Sequence, residues 1–134
     1  MLMKMNGMEV FAFAGFVLDA GARQLKKLDG SPVKLSSRAF DMLVLLVAHR
    51  GATLTKRALL RDVWPDVVVG ENNLNQAVVA IRKALGDIAE PRKFVQTVPG
   101  RGFCFVADVE IVGEAARLIA EPRRDGVITV ADYF

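Results

Sequence analysis

The amino-acid sequence predicts an α+β fold in which an N-terminal antiparallel β-sheet is followed by three helices and a C-terminal β-hairpin. Three patterns support this prediction. Short β-prone runs separated by turn residues fill positions 1–35, apolar residues recur at helical spacing between positions 36 and 85, and two β-rich runs flank the Pro-Gly-Arg-Gly sequence at 99–102. A chain of 134 residues is long enough to bury a core without a metal ion or a disulfide.

The N-terminal segment superficially imitates a signal peptide, but its charges and glycine favour a sheet. Glu9 and Asp19 bracket the apolar run, and Gly15 divides it. Residues 24–35 continue as strand, turn and strand, with an Asp-Gly pair as the turn. Since no run approaches the roughly 20 apolar residues of a transmembrane helix, we expect no membrane partner for this chain.

The first helix is predicted to begin after Leu35, with Ser36 or Ser37 as its N-cap, and to run to about His49, where Gly51 favours a stop. It is apolar most of the way round, so we expect it to be buried between the N-terminal sheet and the other helices. His49 has no acidic or cysteine partner at ligand spacing, which favours a helix cap over a catalytic group.

The second helix is predicted to begin at Thr55 and to end before Pro65. Its apolar side chains are expected to be buried: Leu59, Leu60, Val63 and Trp64. Its basic side chains are expected to be exposed: Lys56, Arg57 and Arg61. Asp62, Asp66 and Glu71 are candidates for metal ligands or an acid/base pair, but no histidine or glycine-rich geometry assembles them, so we expect a solvated surface and no catalytic or metal site.

The third helix, 71–85, has a narrow apolar seam and an amide-rich, basic opposite face. At about 100° per residue, one arc holds Leu74, Val78, Ile81 and Leu85. The other side holds Asn72, Gln76, Val79 and Lys83, with Asn75 and Arg82 beside them. Amide side chains match adenine in the major groove, and basic ones match guanine or phosphate. The alternative is a solvated helix face with an asparagine as N-cap.

The final hairpin is predicted from runs 94–98 and 103–106, joined by a loop whose two glycines suit a tight turn with positive φ. Arg101 is the long side chain at its apex. A helix followed by such a hairpin is typical of a winged helix-turn-helix. The loop lacks the spaced glycines and the Lys-Ser/Thr pair of a nucleotide-binding loop, which argues against a phosphate cradle.

The chain has one cysteine, Cys104, which cannot form an internal disulfide and therefore fits a reducing cytoplasm. It alternates with Phe103 and Phe105, so we expect it to face outward if those aromatic rings face the core. A redox-sensing thiol is the alternative. Because no basic residue adjoins it in sequence, an inert side chain is favoured.

Several motifs in order make the chain resemble the winged-helix output domain of OmpR/PhoB-type bacterial transcription regulators, over roughly 13–109. They are Leu-Ser-Ser-Arg-Ala-Phe-Asp-Met-Leu at 35–43, Thr-Lys-Arg-Ala-Leu-Leu-Arg-Asp-Val-Trp at 55–64, Glu-Asn-Asn-Leu at 71–74, Ile-Arg-Lys-Ala-Leu-Gly at 81–86 and Val-Gln-Thr-Val-Pro-Gly-Arg-Gly-Phe at 95–103. A receiver domain precedes the winged helix in that family. Here the winged helix begins almost at the first residue, as in regulators of the CadC/ToxR kind.

The resemblance implies binding to double-stranded DNA, with the third helix in the major groove and the wing in the minor groove. It places the family's base-contacting positions on Asn72, Asn75, Gln76 and Ala80. With the basic residues and the wing, the candidate DNA-binding set is Lys56, Arg57, Asn72, Asn75, Gln76, Val79, Ala80, Arg82, Lys83, Thr97 and Arg101.

Two departures from the family concern positions that touch DNA. Ala80 stands where the family often has a long basic side chain, and Pro99 stands where its best-known members carry a minor-groove arginine. The resemblance also implies tandem sites, a weak homodimer, and a 65–70 loop that contacts RNA polymerase in some members. For that loop, with its three valines, a hydrophobic linker packed on the domain is the alternative.

We expect a winged-helix DNA-binding domain at 1–112 and a C-terminal extension or linker at 113–134, which is slightly acidic. That segment fits a linker, an added helix and strand, or a dimerisation segment. The predicted function is sequence-specific DNA binding in transcriptional regulation. The alternative is a winged-helix adaptor or dimerisation module, which the modest net charge of +3 and the apolar Val79 and Ala80 favour slightly. No nucleophile, base and orienter occur together, which argues against an enzyme, and no cofactor is expected.

Overall fold

The computed structural model describes residues 9–112, so the predicted extension at 113–134 lies outside the described residues. Internal contacts group residues 35–107 into one unit and residues 9–34 with 108–112 into a second. In chain order the elements are β1 Val10–Phe13, β2 Phe16–Asp19, β3 Gln24–Lys27, α1 Ser37–Ala48, β4 Thr53–Thr55, α2 Lys56–Val63, α3 Glu71–Leu85, β5 Val95–Val98, β6 Gly102–Phe105 and β7 Glu110–Ile111.

The second unit is a four-stranded antiparallel sheet in the order β3-β2-β1-β7. Its first turn is formed by Ala14 and Gly15, both at positive φ, which lets Phe13 pair with Phe16. Every residue of β1 and β2 is buried, as expected for an apolar run. The predicted N-terminal antiparallel sheet is therefore confirmed, and β7 is a fourth strand that sequence reasoning missed.

The Asp-Gly turn after β3 is confirmed, but the strand predicted to follow it is not. The Asp29 carboxylate accepts hydrogen bonds from the Ser31 hydroxyl and from the Ser31 backbone N–H, and these bonds lower the pKa of Asp29 below its usual value. Gly30 takes a φ of +88° in the same turn. Beyond the turn, only an isolated bridge joins Lys26 to Pro32. On either side of this bridge, the Lys27 N–H donates to the Ser31 carbonyl at 2.9 Å and the Val33 N–H donates to the Leu25 carbonyl at 2.8 Å. Pro32 therefore occupies a position at which the ladder needs no N–H.

The first unit packs α1, α2 and α3 against one another. The hydroxyl of Ser36 caps α1 by accepting from the Ala39 N–H at 3.2 Å, and that of Thr55 caps α2 by accepting from the Ala58 N–H at 3.1 Å. Both predicted starts are confirmed. The guanidinium of Arg38, in the first turn of α1, donates to the carbonyl of Val63 at the end of α2.

His49 ends α1, but not through its side chain as expected. Its backbone N–H donates to the Leu45 carbonyl at 3.1 Å, and Gly51 takes a φ of +83° just beyond. The imidazole Nε2 is buried and meets no hydrogen-bond partner within residues 9–112. The end of α1 is therefore capped by the backbone N–H of His49, which satisfies an open carbonyl of the last turn.

The first unit also contains a three-stranded sheet in the order β4-β6-β5, in which β4 was not predicted. All of β6 is buried, including Cys104, so the expectation that this thiol faces outward is wrong. Alternation separates an inner from an outer face only when one face of the strand meets water. In this central strand both sets of side chains are covered.

The two glycines of the hairpin loop have different roles. Gly100 takes a φ of +73°, as the predicted turn requires. Gly102 does not; instead, a Cβ atom added to it would lie 1.9 Å from the Leu54 carbonyl oxygen. Gly102 is therefore needed so that the backbones of β4 and β6 can approach each other, and the expectation that both glycines serve the turn is corrected.

Candidate nucleic-acid interface

The third helix begins at Gly70 and ends at Gly86, so its asparagines lie inside the helix. Gly70 is the N-cap and offers no side-chain bond, which excludes the alternative of an asparagine N-cap. Gly86 takes a φ of +75°, and its N–H bonds to the carbonyls at the end of the helix. The amide side chains of the first turns are therefore not consumed in capping this helix.

The buried and exposed sides of α3 agree with the predicted division. The buried side consists of Leu74, Ala77, Val78, Ile81 and Leu85. The exposed residues from the candidate set are Asn72, Asn75, Gln76, Val79 and Lys83. Ala80 and Arg82 are half-buried at the borders. We call these exposed residues the outward face of α3, and they combine three amide side chains, one apolar side chain and one cation.

Arg82 connects α3 to the wing. Its Nε and Nη2 donate to the Val95 carbonyl at 3.1 and 2.9 Å, and Nη2 donates to the Thr97 hydroxyl at 2.8 Å. Burial, and then the neighbouring charge of Arg92, lower the pKa of Arg82 below its usual value. An arginine still remains a cation in a protein. Two candidate DNA-binding residues, Arg82 and Thr97, are therefore bonded to each other.

Lys56 lies at the start of α2, and its ammonium group forms an ion pair with Glu71 at the start of α3, with 3.2 Å between Nζ and Oε1. The ion pair joins the beginnings of α2 and α3, a contact that was not predicted from the sequence. A lysine that is paired with a carboxylate attracts a phosphate less than an unpaired lysine does. Arg57, the next residue, is exposed.

The wing is the hairpin of β5 and β6, with Arg101 exposed in its turn. The Arg101 N–H donates to the Val98 carbonyl at 3.0 Å, which closes the turn. The Arg101 carbonyl accepts from the Lys56 N–H at 3.1 Å, so the tip is tied to the start of α2. The backbone of Arg101 is held in place while its side chain meets solvent.

Asp87 is a site-forming residue that sequence reasoning missed. Its carboxylate is buried, at 2% exposure, and accepts from the N–H groups of Lys93, Phe94 and Val95 at 2.7, 3.1 and 2.9 Å. It therefore fixes the start of β5 relative to the end of α3. The sequence offered little signal, because the three partners lie six to eight positions away in a segment without periodicity.

The 65–70 loop exposes apolar side chains. Val67 is 51% exposed and Val68 is 103% exposed, whereas Val69 is half-buried. The alternative of a linker packed on the domain is therefore wrong for Val67 and Val68. The loop begins directly after Trp64, which is buried, and ends at the N-cap of α3.

Two of the acidic residues near this loop are paired with basic side chains. Asp62 accepts from its neighbour Arg61 at 3.2 Å, and Glu71 is paired with Lys56. Within the range 9–112, no three histidine, cysteine or acidic side chains come together in a way that suits a metal ion. In the same range, no helix is both long and apolar enough to span a bilayer.

A helix with an exposed amide face, followed by a wing, agrees with a known family. Residues 30–105 match the family described as "Transcriptional regulatory protein, C terminal". The chain belongs to this family. This is the family of OmpR/PhoB-type winged-helix DNA-binding domains, to which the CadC and ToxR domains are homologous. It is a family of transcription factors and not of enzymes. The predicted family, fold class and non-enzymatic function are thereby confirmed.

Two curated relatives of this chain are longer proteins. It is 29% identical over 106 residues to the transcriptional regulator HilA of Salmonella typhimurium and 30% identical over 99 residues to the transcriptional activator CadC of Escherichia coli. These matches cover 79% and 70% of the chain, but 19% of each relative. The chain therefore corresponds to about a fifth of the length of these curated relatives.

Solved structures agree with the fold. The DNA-binding domain of E. coli CadC superposes with a TM-score of 0.67 at 25% identity, covering 78% of this chain and 98% of that one. The Klebsiella pneumoniae RstA DNA-binding domain, solved in complex with the RstA box, superposes with a TM-score of 0.62 at 30% identity, covering 72% and 96%.

Proposed function

We propose that this chain binds double-stranded DNA sequence-specifically in transcriptional regulation, with α3 in the major groove and the wing in the minor groove. The outward face of α3 carries the proposal, because its exposed Asn72, Asn75 and Gln76 are not used for capping or core packing. A helix fits the major groove, where amide side chains bond adenine in two places. The RstA domain, which has a DNA complex, supports the same use of the fold.

Within this face we assign different tasks to different side chains. Asn75 and Gln76 lie near the helix N-terminus, the end that meets base edges in helix-turn-helix proteins, and they read bases. Lys83 lies near the C-terminal end and contacts phosphate. Ala80 is half-buried and short, so the base pair that a long basic side chain reads in related domains receives no hydrogen bond from this position.

The wing adds a second contact through Arg101. Its guanidinium stands on a turn whose backbone is closed by hydrogen bonds, so the side chain can enter a groove without the loop having to reorganise. A narrow, A·T-rich minor groove concentrates negative potential and attracts an inserted arginine. The function of the arginine that related domains carry at the position of Pro99 is thereby moved two residues along the turn.

Three further assignments extend the proposal to the whole regulator. The exposed Val67 and Val68 give the 65–70 loop an apolar surface suited to a protein, and we assign it to RNA polymerase. Binding of a weak homodimer to tandem sites would add affinity through a second copy. The cytoplasm, where the bacterial chromosome lies, is the compartment of this activity.

A salt titration tests the proposal. Binding of the chain to a random duplex should show a log affinity that falls linearly with log salt, since Lys56, Arg57, Lys83 and Arg101 displace counterions from phosphates. A duplex selected from a random library should bind more tightly at every salt concentration. If neither duplex binds at low salt, the chain acts instead as an adaptor through its exposed valines, and the DNA-binding proposal fails.

A further inference from the structure

Val79 is the apolar side chain on the outward face of α3, which is otherwise polar. It is 63% exposed, while the buried side of α3 is filled by other residues, so it contributes little to the core. Gln76 lies one turn before it and Lys83 one turn after it, and both are exposed. A β-branched residue also lowers helix propensity at such a position. Neither core packing nor helix formation accounts for a valine here.

The major groove offers one apolar group for such a side chain to contact. Among the four bases only thymine carries a C5 methyl group there, and small apolar side chains recognise it by contact. We propose that Val79 is a specificity-determining residue that selects thymine through this methyl group. The inference rests on the proposed DNA binding and adds to it a contact with the thymine methyl group, which no hydrogen bond of this helix can make.

The spacing along α3 connects this selection to the reading of adenine by Gln76. Residues three apart on a helix have Cβ atoms about 5 to 6 Å apart, and successive base pairs are about 3.4 Å apart. Val79 and Gln76 therefore lie over the same base pair or over neighbouring ones. The site that binds best should contain an adenine that pairs with, or adjoins, a thymine whose methyl group touches Val79.

Replacing thymine by deoxyuridine tests this assignment, because the change removes the methyl group and keeps base pairing and the O4 acceptor. In a duplex selected from a random library, each thymine is replaced in turn. At one or two positions the affinity of the unaltered protein should fall about fourfold, the value of burying one methyl group. The variant Val79→Ala should bind the thymine and deoxyuridine duplexes with equal affinity.

Val106→Ala is the matched control, because it makes the same chemical change at a valine that is 42% exposed and lies outside α3. It should keep the full deoxyuridine effect. Circular dichroism of the helical signal tests whether Val79→Ala is folded. We expect a folded variant, because alanine favours a helix.

Two results overturn the inference while leaving DNA binding intact. In one, selected duplexes bind but deoxyuridine changes the affinity at no position; in the other, the effect persists in Val79→Ala. If no duplex can be selected at all, DNA binding itself fails, and the role of Val79 fails with it.

Discussion

At the scale of single residues, a glycine can be required for two separate reasons: two backbones approach each other closely, or a turn needs a positive φ. Gly102 faces the Leu54 carbonyl, whereas Gly100 has open space and a positive φ. Gly102→Ala should destabilise the fold by about 3 kcal/mol, because the backbones of β4 and β6 must move apart. Gly100→Ala should cost about 1 kcal/mol, the usual cost of a left-handed conformation for alanine. Urea unfolding of both variants measures the difference, and equal losses would contradict this distinction.

Residue patterns also set the limit of sequence reasoning. Ser36 and Thr55 could be predicted as helix boundaries because each acts on groups within a few positions of itself. The burial of Cys104 could not, since it depends on what covers the second face of a central strand. Nor could the role of Asp87, whose partners are backbone N–H groups that any sequence supplies.

At the scale of elements, the helices could be predicted and two short strands could not. A helix of 15 residues such as α3 repeats its apolar period several times, so both its position and its outward face follow from the sequence. The strands β4 and β7 have three and two residues, too few for a period. Their existence depends on partners far along the chain, as when Leu54 pairs with Phe103.

The junction between α3 and the wing gives a prediction at this scale. Arg82 bonds to the Val95 carbonyl and the Thr97 hydroxyl, so we assign it to positioning the wing against α3. Arg82→Lys keeps the charge and loses the forked geometry. It should leave the salt dependence of DNA binding unchanged. Arg101→Ala should lower the affinity for sites flanked by A·T pairs, and it should lower this affinity less in the Arg82→Lys background than alone.

A double-mutant cycle measures this coupling. We expect the two substitutions to differ from additivity by at least about 0.5 kcal/mol. Strict additivity would instead indicate that Arg82 acts independently of the wing. Lys83→Ala is the control, since its side chain is exposed on the outward face and should be additive with Arg101→Ala.

At the scale of the whole molecule, the fold class and the family could be predicted because several motifs occur in order over most of the chain. The family match at 30–105 covers all three helices and the wing. The boundary at residue 112 and the role of 113–134 stay predictions. The net charge of +3 was of little use, since the proposed function depends on one face of α3 and on the wing and not on the charge of the whole chain.

The central claim is that the outward face of α3 reads sequence, and the affinities of Gln76→Ala for a selected and a random duplex test it most directly. The substitution should cost about 1 to 3 kcal/mol on the selected duplex, where it removes bonds to one base pair, and almost nothing on the random one. Lys83→Ala, which removes a phosphate contact, should weaken both duplexes alike. An equal loss on both duplexes for Gln76→Ala would contradict the claim, because a residue that reads bases cannot matter equally where its base is absent.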